Sequence, residues 1–105
     1  MIKITILYPN ADDATFDFDY YRDHHMKGIK AKCGAAVTKV VIERGVGGGA
    51  PGAPAPYVAI GHLYFESMDT MQSSFGPQVA DAMADIPNFT NSLPLIQFSE
   101  VVLDV

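Results

Sequence analysis

Three histidines, five tyrosines and one cysteine carry most of the proton-transfer and nucleophilic chemistry open to this 105-residue chain. His25 shares a helical stripe with Phe18, Tyr21 and Ile29, three or four residues apart, so it points at the edge of a core rather than at water. An imidazole exchanges protons near neutrality, and Tyr21 one turn earlier is placed to orient it or a substrate. A structural histidine bonded to a backbone carbonyl near the helix end fits the same spacing, and both readings stay open.

His24 projects about 100° around the helix from His25, so the two cannot clamp one ion. With no His-x-x-x-His or Cys-x-x-Cys spacing, a metal site is not expected. His62 and Tyr64 alternate with Val58 and Ile60 on one face of a strand, where they line a cavity or pair across a dimer. Tyr8, Tyr57 and Tyr64 offer hydroxyls to a ligand or fill a core with the hydroxyl at its rim. Met68, Met71, Phe75 and Met83 read as core, and Cys33 as a buried structural thiol. The stretch GVGGGA is not a dinucleotide fingerprint, because prolines stand where its helix would have to start.

The elements that must position these residues follow from periodicity. Ile2 to Tyr8 alternates Ile2, Ile4, Ile6 and Tyr8 against Lys3, Thr5 and Leu7, which is a strand. Thr15 or Asp17 caps a helix that closes near Gly34. A second strand spans Ala36 to Arg44 and a third Tyr57 to Phe65. Eight of the twelve residues between Gly45 and Pro56 are Gly or Pro, so that segment is a loop, either mobile or packed on a partner. Ser67 caps a helix that Gly76 and Pro77 break, a second piece runs to Pro87, and Leu95 to Leu103 is the last strand.

Strand, helix, strand, strand, helix, strand is the α+β, ferredoxin-like βαββαβ order, with both helices on one face of a four-stranded antiparallel sheet. The chain is expected to be one domain over residues 1–105. The opposite face measures roughly 26 by 19 Å and carries Leu7 and other apolar groups, so a homodimer through that open face is expected. Two such faces would enclose a pocket, with Thr5, His62, Gln97 and Ser99 as candidate lining. A net charge of −5 and scattered Lys and Arg argue against nucleic acid, and no apolar run is long enough to span a membrane. A lone cysteine and no export signal make cytoplasm the expected location.

Three segments carry a family resemblance: FDFDYYRDHHMKG (Phe16 to Gly28), PGAPAPYVAIGHLYFES (Pro51 to Ser67) and ADIPNFTNSLPLIQFSEVV (Ala84 to Val102). With MIKITILYPN at the start, the chain resembles the EthD family along nearly its whole length. The resemblance implies a dimeric α/β barrel and places the family's helix motif on Tyr20, Tyr21 and His25. The sequence departs from that motif at Lys27, where the family often has proline, and in the added His24. The family is associated with bacterial breakdown of ethyl tert-butyl ether, and its wider superfamily holds cofactor-free oxygenases, isomerases and haem-handling enzymes, so fold alone selects no reaction.

The leading expectation is therefore a cofactor-independent oxidoreductase or isomerase acting on a small apolar substrate between helix and sheet. His25 is the acid/base, and Tyr8, Tyr21, His62 and Tyr64 are substrate-binding candidates. The rival is a non-catalytic ligand-binding or accessory protein supporting a monooxygenase. Haem ligation by His25 comes third, since no haem-attachment motif argues for it.

Overall fold

The computed structural model describes all residues 1–105. Four strands, β1 (Ile2–Pro9), β2 (Lys39–Arg44), β3 (Tyr57–Phe65) and β4 (Leu95–Glu100), form one sheet in the order β2-β3-β1-β4. All neighbours are antiparallel, with Ile4 opposite both Leu63 and Phe98, and Thr5 opposite both His62 and Gln97. This register puts Ile2, Ile4, Ile6 and Tyr8 of β1 beside Phe65, Leu63, Gly61 and Ala59 on the helix side, as period-two alternation requires.

The first helical layer covers residues 18–33. Asp17 caps it by accepting the Tyr20 backbone N–H at 3.0 Å, and Gly34 ends it with φ +61°, a left-handed value that favours glycine. The second layer starts at its Ser67 cap and runs as Met68–Phe75 and Val79–Asp85. Gly76–Gln78 joins these pieces as a 3₁₀ turn, so Gly76 and Pro77 bend the layer rather than end it.

Two strands are shorter than their composition suggests. Residues 34–36 form a 3₁₀ turn after the first helix, so β2 begins at Lys39 rather than Ala36. Past Glu100, β4 has lost its partner, since Glu100 pairs with Ile2 at the start of β1. A single bond from the Val101 N–H to the Met1 carbonyl follows, and apolar character cannot extend a ladder without a neighbour.

Gly61 sets how closely the first helix approaches the sheet. A Cβ there would collide with the Tyr21 hydroxyl and press on the Met26 terminal methyl at 3.2 Å. Tyr21 is fully buried, T-shaped against Tyr8 at 5.6 Å, and its hydroxyl makes no hydrogen bond of ordinary geometry. Gly61→Ala is expected to cost about 1–3 kcal/mol in urea melts, as overpacking does. Adding Tyr21→Phe, which removes the colliding atom, should recover part of the loss. An unchanged midpoint for Gly61→Ala would mean that the helix is not seated on this glycine.

Candidate functional site

The first helix is not α-helical where its histidines lie. Between an α turn at Phe18–Tyr20 and an α stretch at Lys27–Cys33, Tyr21–Met26 is a π segment, with the Lys27 N–H bonded five residues back to the Arg22 carbonyl. Two consecutive side chains of this segment face inward, His25 at 8% and Met26 at 1% exposure. His24 turns outward and lies against the Tyr20 ring at 5.0 Å.

Asp85, the last residue of Val79–Asp85, meets His25 across the gap between the helical layers. Its Oδ2 lies 2.9 Å from His25 Nδ1. Its Oδ1 accepts from the Tyr20 hydroxyl at 2.7 Å and from Asn88 Nδ2 at 2.9 Å. Burial alone pushes the Asp85 carboxyl up, but the hydrogen bonds from Asn88, Tyr20 and His25 outweigh it and hold the group below its usual value. The Tyr20 phenol is pushed up in turn, mainly because its hydroxyl donates to Asp85. His25 Nε2 has no protein partner, and the ring is gripped by Tyr21 at 5.5 Å and Phe89 at 4.7 Å.

His25 forms part of the wall of a cavity of about 250 Å³ between the helical layers and the sheet. Ile4, Ile6 and Leu63 form its floor, and Met26, Met71 and Phe75 are among its helical walls. Fifteen of its nineteen lining residues are hydrophobic, so a ligand there is held by apolar contact with few polar anchors. The mouth runs along β4, where Phe98 is 57% exposed, with Val79 and Met83 of the second layer opposite. An apolar cavity on the order of 150 Å³ already admits benzene, so this one has room for a larger molecule.

A family model for the EthD domain matches residues 8–92. The chain belongs to the EthD family. An EthD-like protein of Ralstonia eutropha is 36% identical, with a TM-score of 0.91 over 99% of this chain and 94% of that one. An EthD family protein of Bacillus halodurans is 18% identical (TM-score 0.71, 97% and 99% covered), and a dimeric protein of unknown function from Bacteroides fragilis with a ferredoxin-like fold is 13% identical (TM-score 0.57, 95% of each covered). The last two show a common fold. No curated protein matches the sequence.

In this EthD domain the residues singled out from the sequence divide between two faces. His25 and Tyr8 line the cavity together. Tyr21 sits beside them, but its hydroxyl is directed at Gly61 and burial pushes it well up, so it supports the His25 ring rather than facing a ligand. His62 and Tyr64 do not join them: they lie on the opposite side of the sheet, since strand alternation sends them away from Leu63 and Phe65. There His62 Nε2 pairs with Glu43 at 3.1 Å, and the lysines Lys3 and Lys39 stand 5.9 and 5.6 Å from the Tyr64 ring centre. Met68 and Met83 also depart from a core role, at 38% and 45% exposure on the cavity wall. Asp85, 60 positions from His25, is not singled out by spacing, and Tyr20 is named only by the family motif; the structure brings both into one hydrogen-bonded group with His25.

Because the Asp85 carboxyl is held below its usual 3.8, its contribution to stability is present above that pH and is lost as pH falls through the lower, folded-state value. Thermal melts of the wild type and Asp85→Asn should therefore differ at pH 5 and converge below pH 3.8. A gap that persists unchanged into strong acid would contradict an ionised Asp85.

Proposed function

We propose that this EthD protein is a cofactor-independent enzyme that moves a proton on a small, mostly apolar substrate in the helix–sheet cavity, with His25 as acid/base. One observation carries the reading: an imidazole with one ring nitrogen free of protein partners stands in the wall of a cavity that is otherwise nearly all hydrocarbon and thioether. Such a cavity binds by apolar burial, and its low polarity strengthens any charge interaction that develops during reaction.

The substrate chemistry that fits is a carbon acid, a C–H next to a carbonyl. His25 Nε2 takes that proton, and the electron pair left on carbon shifts into the carbonyl to give an enolate. Where a C=C adjoins that carbon, the charge spreads over it as a dienolate, and returning the proton to the far carbon isomerises the compound with no net change of atoms. Deprotonation of the same kind is the first step when an activated substrate reacts with dioxygen, so the isomerase and oxygenase types share this step. Tyr8, on the same cavity wall, is the candidate to orient the substrate.

2-Tetralone, a two-ring apolar ketone, tests the reaction directly. In D₂O the wild type should accelerate loss of its α-proton signals over a buffer blank, and His25→Ala should lose about 10²-fold or more of that acceleration while still binding the ketone. Equal rates for both proteins, with binding intact, would leave a ligand-binding accessory protein as the better description.

The opposite sheet face is proposed to be covered by a second copy. Leu7, Val41 and Ile60 give it an apolar strip, and Lys3, Lys39 and Glu43 give it charges of both signs that a two-fold arrangement can set against one another. The Bacteroides fragilis relative of the same fold is described as dimeric. In sedimentation at micromolar concentration the wild type should run at twice the 11.3 kDa chain mass, and Ile60→Lys at the single-chain mass. A wild type of single-chain mass would remove the dimer.

A further inference from the structure

We infer that Asp85 is a positioning residue that keeps the proton of neutral His25 on Nδ1 and leaves Nε2 bare toward the cavity, an inference that rests on the proton-transfer reading above. An ionised carboxylate can only accept, so the 2.9 Å contact between Asp85 Oδ2 and His25 Nδ1 requires Nδ1 to donate. Neutral imidazole has one N–H. Once Nδ1 carries it, Nε2 has a lone pair and acts as a base.

The other side of the carboxylate makes this arrangement directional. Both the Tyr20 hydroxyl and Asn88 Nδ2 donate to Oδ1, while Oδ2 is left to His25. The two oxygens therefore have separate tasks. In Asp85→Asn, the amide oxygen belongs at the Oδ1 position, where two donors wait for an acceptor, and the NH₂ is turned toward His25. That NH₂ can only donate, so Nδ1 must accept and the ring proton moves to Nε2. A substitution that preserves size and shape thus converts His25 from a base into a group with no lone pair to offer the substrate. Tyr20 takes part by deciding which way the amide faces, although it lies outside the cavity lining.

Long-range ¹H–¹⁵N spectra of the imidazole rings at alkaline pH, where neutral histidine predominates, read the tautomer without any substrate. The wild type should show His25 protonated at Nδ1, and Asp85→Asn should show it protonated at Nε2. In the 2-tetralone exchange assay, Asp85→Asn should lose on the order of 10²- to 10⁴-fold in kcat, as when a base is locked in the wrong tautomer, with KM little changed. Asp85→Asn with the wild-type tautomer, or with the reversed tautomer and full kcat, would overturn the inference. If Asp85→Asn does not fold, Asp85→Ala replaces it: with its acceptor gone, Nδ1 should give up the proton and the ring shift toward the Nε2–H form, and an unmixed Nδ1 form would count against the assignment. A wild type that exchanges no tetralone protons would defeat the proposed reaction, and the tautomer spectra would still decide the role of Asp85.

Discussion

The Asp85 carboxylate ties His25 and Tyr20 of the first helical layer to the end of the second. Asp85 receives hydrogen bonds from Tyr20 and His25 of the first layer and from Asn88 just beyond the second. A nearly buried imidazole with an unpaired Nδ1 would cost roughly 1–3 kcal/mol, and a carboxylate at this depth would favour its neutral form without donors. Each group makes the other tolerable. Their pairing fixes the His25 ring beside a cavity whose remaining walls supply almost no polar contact.

That cavity is itself a constraint. At roughly 24 cal/mol per Å³ of void, about 250 Å³ would forfeit on the order of 6 kcal/mol if closed and empty, comparable with the whole stability of a small domain. Solvent access at the β4 mouth makes this an upper bound. Met26, Met68, Met71 and Met83 in the lining fit a site that repacks around a guest, since the unbranched thioether adapts its shape at little cost. The two sides of the sheet thus divide the work: the helix side holds His25, and the opposite side carries the mixed apolar and charged strip suited to another copy.

Much of this was legible in the sequence because the physics is local. The alternation of β1, the Asp17 and Ser67 caps and the Gly34 terminator act within a few residues, so composition and spacing reveal them. The inward direction of His25 follows from the stripe it shares with Tyr21 and Ile29. The ends of β2 and β4 are set by the presence or absence of a neighbouring strand, which apolar composition does not encode. Nor does spacing encode the π segment at Tyr21–Met26. Alternation puts His62 and Tyr64 on one face of their strand, but their distance from His25 depends on which face the helices cover. Asp85 could not be found by spacing at all, because its link to His25 exists only after both layers have packed on the sheet. The family assignment explains the common architecture with the Ralstonia eutropha protein, and the chemistry has to be argued from the site.

A small apolar molecule is expected to bind in the helix–sheet cavity and not on the opposite sheet face. Methionine-methyl-labelled protein offers the most direct measurement, since four of the five methionines line the cavity and Met1 lies outside it as an internal control. With 2-tetralone at saturation, intermolecular NOEs should connect the ligand to the methyls of Met26, Met68, Met71 and Met83 and leave Met1 silent. NOEs found only to Ile60 and Tyr64 on the other face would contradict the account.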